Sequence, residues 1–461
     1  MAHPLVTPRP GPEPEPLDPR TAPAPRYGTA SLADLLPALT APHAVPGVAA
    51  TGLELPGADR NCVFLVDGMG WELLRAHPDE APFLTSLLAT SLGGSGEPLT
   101  AGFPATTATS LASVGTGLPS GAHGLAGYSV AVPGERRLMN QLRWQPYTDP
   151  HLWQPYPTVF ELAQAAGIES CQVSSPTFEH TPLTRVALSG GTFLGRLTGE
   201  ERMDLAAERL AAADRSLVYT YYSELDGMGH RYGVDSDAWR GQLMTVDRLA
   251  QRLAEQLPPR SALYITADHG MVDVAAEDRI DFDEDWELRA GVALLGGEAR
   301  ARHVYAVPGA AADVLAVWRE VLGDRMWVAG RDEAIAAGWF GPYVDERVHG
   351  RIGDVVAVAA TDDIAVTTRT CGSRTPPSSN SPRPPGSSPA RSPRPPSSTP
   401  RSPGSPSPEE RSWGGSPVRS GWTSRPSGWP PPTAAWSTPT TANSTAWATG
   451  TGSTPTPGAA S

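Results

Sequence analysis

The chain reads as an α/β protein, a sandwich with a largely parallel central sheet flanked by helices. Three observations lead there. Short apolar runs of strand type, at residues 63–66, 217–222 and 262–266, each end on a polar loop. Stretches with helical periodicity, such as 204–214 and 239–257, separate them, so strand, loop and helix alternate as in a repeated βα unit. Between about residues 29 and 370 the chain also holds enough apolar residues for a sizeable core, whereas both ends do not.

In chain order, residues 1–28 are rich in Pro with scattered charges, and too few aliphatics are present to order them. A short helix over 31–39 follows, with Ser31 as its cap. The strand at 63–66 ends at Asp67-Gly68-Met69-Gly70, and 71–88 carries helical spacing through Leu73, Leu74, Phe83, Leu84, Leu87 and Leu88. Next comes Phe103-Pro104-Ala105-Thr106-Thr107-Ala108-Thr109-Ser110, with Thr116-Gly117 and His123-Gly124 further on. It reads as a turn opening a helix. A hydroxyl there would sit among unpaired N–H groups, a natural place for phosphate, although an ordinary Thr cap explains the same residues.

A helix over 158–167 closes on Gly167, and 171–173 is the next strand. The helix 204–214 precedes the strand 217–222, which is rich in β-formers and runs into Glu224-Leu225-Asp226-Gly227-Met228-Gly229-His230. A long amphipathic helix over 239–257 stops at Pro258-Pro259. The strand 262–266 ends at Ala267-Asp268-His269-Gly270-Met271. Two later strands, 304–307 and 354–360, flank the helix Ala311–Leu322. A single folded domain is therefore expected over 29–370. From 371 to 461 Leu, Ile, Met and Phe vanish, and Pro, Ser, Arg, Thr and isolated Trp take over. Such a stretch cannot pack a core. It reads either as a disordered tail or as the product of a shifted reading frame in a GC-rich gene.

Asp and Glu number 49 against 36 basic residues, all of them Arg, which argues against a nucleic-acid binder. The three Cys (Cys62, Cys171, Cys371) show no metal-ligand spacing and no disulfide framework; the first two are expected in the core. No secretory segment is seen, and no apolar run approaches the roughly 18 residues of a membrane span. The expectation is a cytoplasmic protein with no membrane contact.

Ligands of a parallel sheet gather beyond the carboxyl ends of its strands. Asp67 follows one strand, Asp226 and His230 another, Asp268 and His269 a third. Any one of these is an ordinary turn residue or structural His. Together, beside Thr107, they suit zinc or a similar ion and point to a two-metal hydrolase.

These residues resemble the alkaline phosphatase superfamily, in its type I phosphodiesterase/nucleotide pyrophosphatase branch. The resemblance is carried by Val66-Asp67-Gly68, the 103–124 stretch, Asp226-Gly227-Met228-Gly229-His230 and Ala267-Asp268-His269-Gly270-Met271. No Cys or Ser in the Cys/Ser-x-Pro-x-Arg arrangement of the sulfatase branch takes the place of Thr107. The resemblance implies an alkaline-phosphatase-like sandwich and two divalent ions, expected to be zinc. It implies Thr107 as nucleophile, forming a phospho- or nucleotidyl-enzyme. One ion would be held by Asp67, Asp268, His269 and the Thr107 oxygen, the other by Asp226, His230 and a further His. The implied substrate is a small phosphorylated molecule, a nucleotide, cleaved at a phosphodiester or pyrophosphate bond; phosphomonoester hydrolysis on the same site is the alternative. Asn140 is a candidate substrate contact, and His123 and His303 are expected to be structural. The family places its last ligand His before a Gly near the end of the domain. His349-Gly350 has that dipeptide, but Arg351-Ile352-Gly353-Asp354-Val355-Val356 resembles a strand that precedes the ligand. The resemblance thus implies that the shifted frame near residue 370 removed the true ligand and left the domain incomplete at its C-terminal end; a third alternative is a protein that binds metal or phosphate without turnover.

Overall fold

The computed structural model describes residues 16–89, 96–145 and 148–368, all within one compact unit. In chain order the strands are β1 (Arg60–Val66), β2 (Ser129–Ala131), β3 (Leu138–Asn140), β4 (Glu169–Ser174), β5 (Thr192–Gly195), β6 (Ser216–Tyr222) and β7 (Ser261–Ala267). They continue with β8 (Arg279–Asp281), β9 (Val292–Glu298), β10 (Ala301–Ala306), β11 (Met326–Gly330), β12 (Val355–Ala359) and β13 (Ala365–Thr367).

The central sheet has the order β5-β4-β6-β1-β7, and its neighbouring strands are parallel. A parallel strand covered on both faces must be apolar throughout, and β1 reads Cys-Val-Phe-Leu-Val over its last five residues. Alternation then divides it. Val63 and Leu65, with Leu217, Tyr219 and Tyr221, face a core shared with the helices Leu32–Thr40, Thr107–Thr116 and Val159–Ala165. Cys62, Phe64 and Val66, with Val218 and Tyr222, face the helices Gly199–Ala211 and Asp237–Glu255. The result is the expected sandwich, a parallel sheet between helices. Cys62 and Cys171 are buried free thiols in its core.

Strand register places the site. Val66 pairs with Tyr222 on one side and with Ala267 on the other, so β1, β6 and β7 finish level. Whatever follows them emerges at one edge.

Several expectations are corrected. The strands expected at 304–307 and 354–360 belong to a separate antiparallel sheet of order β11-β12-β10-β9, packed on the helix Ala311–Leu322 through Val314, Trp318 and Leu322. A short apolar run carries no sign of its direction. Residues 71–88 form two helices, Trp71–Ala76 and Pro82–Leu88, because Pro78 disfavours helical geometry at His77. Residues 16–28, expected to be disordered, are tied down by polar bonds: Arg26 N–H donates to Thr100 Oγ1 at 2.9 Å, and Tyr27 takes the Phe103 N–H at 3.0 Å. Segments 1–15 and 371–461, with Cys371, lie outside the described residues. Among the described residues, no helix is long and apolar enough to cross a membrane.

Candidate active site

Asp67 is the first residue past β1, and its N–H still donates to Tyr222 O at 2.9 Å, extending the ladder by one rung. The chain then turns at Gly68, whose φ of 73° suits glycine. Gly68 N–H donates to Asp268 Oδ1 at 3.1 Å, and His269 N–H donates to the same oxygen at 2.9 Å. The two loops touch closely: a Cβ at Gly70 would lie 2.6 Å from Gly270 Cα. Only glycine permits that approach, which joins the ends of β1 and β7.

Asp226 lies in the first turn of the helix Glu224–Tyr232, directly after β6, and His230 follows one turn later. Asp67, Asp226 and His269 each offer a ligand atom, all within 4.8 Å of one another. This grouping differs from the implied one, since Asp226 stands with Asp67 and His269. His230 Nε2 is 3.4 Å from Asp226 Oδ1, with the His230 side chain 73% exposed.

The donor set fits a divalent cation. Asp67 Oδ1, Asp226 Oδ1 and Asp268 Oδ2 are buried without a hydrogen-bond partner. Histidine Nε2 atoms lie 3.2–3.5 Å from them, without hydrogen-bond alignment. His269 Nδ1 faces Gly270 O at 2.8 Å, so when the ring is neutral Nδ1 carries the proton and Nε2 is free for a metal, as metal-binding histidines are usually held. Electrostatics agree. Burial, then the Asp67 charge, pushes Asp268 up to about 8. The same two causes raise Asp226. Burial also acts upward on Asp67, but the His269 imidazole close by and the Tyr221 hydroxyl bring it below the usual carboxylate range. His269 is raised well above its ordinary value: burial opposes this, and the Asp268 and Asp67 charges outweigh it. Three carboxylates crowd around one imidazole, an excess of negative charge that a cation would balance.

Thr107 opens the helix Thr107–Thr116, and its Oγ1 lies 3.1 Å from His269 Nε2. Thr106 is the N-cap but makes no side-chain capping bond; its buried hydroxyl turns to Thr109 Oγ1 at 3.5 Å. The first-turn N–H groups are therefore left without a side-chain cap. The other hydroxyls of this stretch are structural. Thr109 donates to Leu125 O at 2.8 Å, and Ser110 donates to Asp268 O at 2.6 Å. That last bond fastens the helix to the site, and sequence reasoning missed it. It also missed Tyr221, whose hydroxyl donates to Asp67 Oδ2; a tyrosine inside a strand reads only as a β-former.

Other candidates are not brought to this cluster. His349 is exposed at the end of the short helix Glu346–His349 and belongs to no group of three metal-capable side chains among the described residues. Asn140 ends β3, and its Oδ1 accepts from Leu142 and Arg143 N–H at 2.9 and 3.0 Å, holding the turn that follows. His123 and His303 are fully buried, as structural residues would be. His303 Nε2 meets Ala126 O at 2.8 Å while Nδ1 accepts from Gly353 N–H at 3.1 Å.

A parallel sheet with Asp and His beyond three level strand ends, facing a Thr at a helix start, defines an alkaline-phosphatase-like α/β protein with an Asp/His cluster at its strand ends. Residues 61–380 match the family model for type I phosphodiesterase / nucleotide pyrophosphatase, and the chain belongs to that family. Human ectonucleotide pyrophosphatase/phosphodiesterase family member 7 is 42% identical over 76 residues, 15% of this chain and 17% of that protein's length. The structure of human ectonucleotide pyrophosphatase/phosphodiesterase 5 is similar with a TM-score of 0.51 at 18% identity, over 68% of this chain and 82% of that one. Its murine counterpart, an inactive variant in complex with AMP, gives 0.49 at 20% identity over the same shares.

Proposed function

We propose that the chain hydrolyses phosphodiester or pyrophosphate bonds in small, nucleotide-type substrates, with Thr107 as nucleophile. One observation carries this reading: the Thr107 hydroxyl stands at an uncapped helix start, 3.1 Å from His269, beside three buried carboxylate oxygens that lack partners. Divalent ions, with zinc the first candidate, would be held by Asp67, Asp268, His269 and Thr107, and by Asp226 with His230. Bound there, they would acidify the Thr hydroxyl and offset charge on the phosphoryl oxygens. The residues themselves supply the rest. Thr107 gives up its hydroxyl proton to solvent and Oγ attacks phosphorus as the bond to the leaving group breaks, the leaving oxygen taking up a proton. Water then cleaves the phospho- or nucleotidyl-Thr107, releasing the phosphate product and restoring the hydroxyl. The first-turn N–H groups face the phosphoryl oxygens and favour their negative charge.

The test uses purified chain with added zinc, on bis-p-nitrophenyl phosphate against p-nitrophenyl phosphate. Thr107→Ala should abolish turnover while leaving the melting temperature close to the parent's, and Thr106→Ala should keep most activity. The reverse outcome would overturn the choice of nucleophile. A second reading, binding of metal or phosphate without turnover, is favoured by His230, which is exposed and belongs to no group of three metal-capable side chains among the described residues. Metal uptake with neither ester cleaved would select it. Faster cleavage of the monoester would mark a phosphomonoesterase.

A further inference from the structure

Tyr219 and Tyr221 lie two apart on β6, so both side chains leave the same face of the sheet. Their rings stack at 6.5 Å with 14° between planes, and both are buried in the same core. Their hydroxyls differ. Tyr219 OH has no hydrogen-bond partner, whereas Tyr221 OH donates to Asp67 Oδ2. One oxygen of Asp67 is thus taken by the protein and the other, Oδ1, is left without a hydrogen bond, 3.2 Å from His269 Nε2. Asp268 follows the same division: Oδ1 takes the Gly68 and His269 N–H groups, and Oδ2 has no hydrogen-bond partner. In each pair the protein spends one oxygen and leaves its mate for the space between the strand ends.

We propose that Tyr221 is a positioning residue for a divalent cation, holding the Asp67 carboxylate in the single rotation that turns Oδ1 toward the ion. This rests on the reading of the Asp/His cluster as a metal site. A carboxylate can rotate about its Cβ–Cγ bond and present either oxygen. A donor on Oδ2 removes that freedom before the ion arrives, so less ordering remains to be done on binding. The phenol reaches Asp67 from the neighbouring strand because Leu65 pairs with Tyr221, two residues short of Asp67. A strand-borne donor holds its position better than a loop would.

Tyr219→Phe is the internal control, since it removes the same group from the same strand face without removing a hydrogen bond. The experiment compares the parent, Tyr221→Phe and Tyr219→Phe after removal of metal. Zinc affinity is measured by competition with a chromophoric chelator, and thermal melting is followed without metal. The visible spectrum with Co²⁺ reports ligand geometry. Zinc affinity should fall about ten- to a hundredfold in Tyr221→Phe, the usual effect of losing a residue that orients a ligand. The Co²⁺ spectrum should shift, and Tyr219→Phe should match the parent in both. Unchanged zinc affinity in a folded Tyr221→Phe would overturn the proposal, as would an equal loss in Tyr219→Phe, which would make both tyrosines packing residues. Should Tyr221→Phe not fold without metal, a Tyr219→Phe chain that folds and binds zinc as the parent does still separates hydroxyl loss from bonding, and an impaired one counts against the proposal. A parent chain that takes up no divalent ion would overturn the metal-site reading itself, and this inference with it.

Discussion

Strands β1 and β7 are neighbours, finish level, and each hands an aspartate to the same site, yet they are held by different physics. Every residue of β1 after Arg60 is buried, whereas all seven residues of β7 are half-exposed. β1 lies between β6 and β7; β7 ends the sheet among the described strands. Asp268 is nonetheless fully buried. Its fixity comes from outside its strand, through the Gly68 N–H on its carboxylate and the Ser110 hydroxyl on its carbonyl. Asp67 follows a strand buried along its length, and the Tyr221 hydroxyl has only the rotation of its carboxylate left to fix. Two carboxylates in one site therefore need not share one source of order.

The largest test of this contrast is in the strands. Phe64→Ala in β1 should cost about 3–5 kcal/mol of folding stability, the usual range for a buried Phe. Ile265→Ala, its register partner in β7, should cost less than about 2 kcal/mol, because much less of its surface leaves water. Urea unfolding measures both, and equal losses would mean that β7 is covered as well as β1. A smaller effect concerns the bond that replaces burial. Ser110→Ala leaves the Asp268 carbonyl without its hydroxyl donor and should cost about 1–3 kcal/mol. It should also speed amide exchange at His269 more than at Asp67. Equal speeding at both would break the distinction drawn here.

The gentlest test lies away from both strands. Burial holds His303 down near about 4 and His123 near about 3, the Arg347 and Arg351 charges adding to the latter. A folded value below the unfolded one of about 6.5 means that the unfolded chain takes up protons first, so stability falls as pH drops below about 6.5. Each group contributes at most about 1.4 kcal/mol per pH unit. At pH 6, ¹⁵N NMR should show His303 as a neutral ring protonated on Nε2 alone; a charged ring would refute its place between Ala126 and Gly353.

The same contrast explains what could be read from the chain beforehand. The ends of β1, β6 and β7 were legible because an apolar run followed by Asp and Gly marks both strand and exit. Asp67, Asp226, Asp268 and His269 are brought together as those marks suggest. Direction was not legible, so β10 and β12 passed as members of the parallel sheet. β9 was not among the expected strands; it carries Gly296-Gly297, and glycine is depleted in strands. Hydroxyl-rich residues near Thr107 suggested a phosphate cradle, yet Thr109 and Ser110 are spent on Leu125 and Asp268. His349 illustrates the converse: a matching dipeptide says nothing about where the fold carries it.

The level pairing of Val66 with Tyr222 and Ala267 also governs which changes of length the gene can absorb. One codon inserted within β1 would carry Asp67 forward by about 3.3 Å and turn it to the opposite face of the sheet. The same codon placed between Glu255 and Ser261, ahead of β7, lengthens a surface connection and leaves every strand end where it was. The site is in that sense written in counted residues rather than in composition. Drift in length belongs to the amino-terminal approaches of these strands, and the few positions from each strand to its aspartate form an interval that cannot be re-spaced.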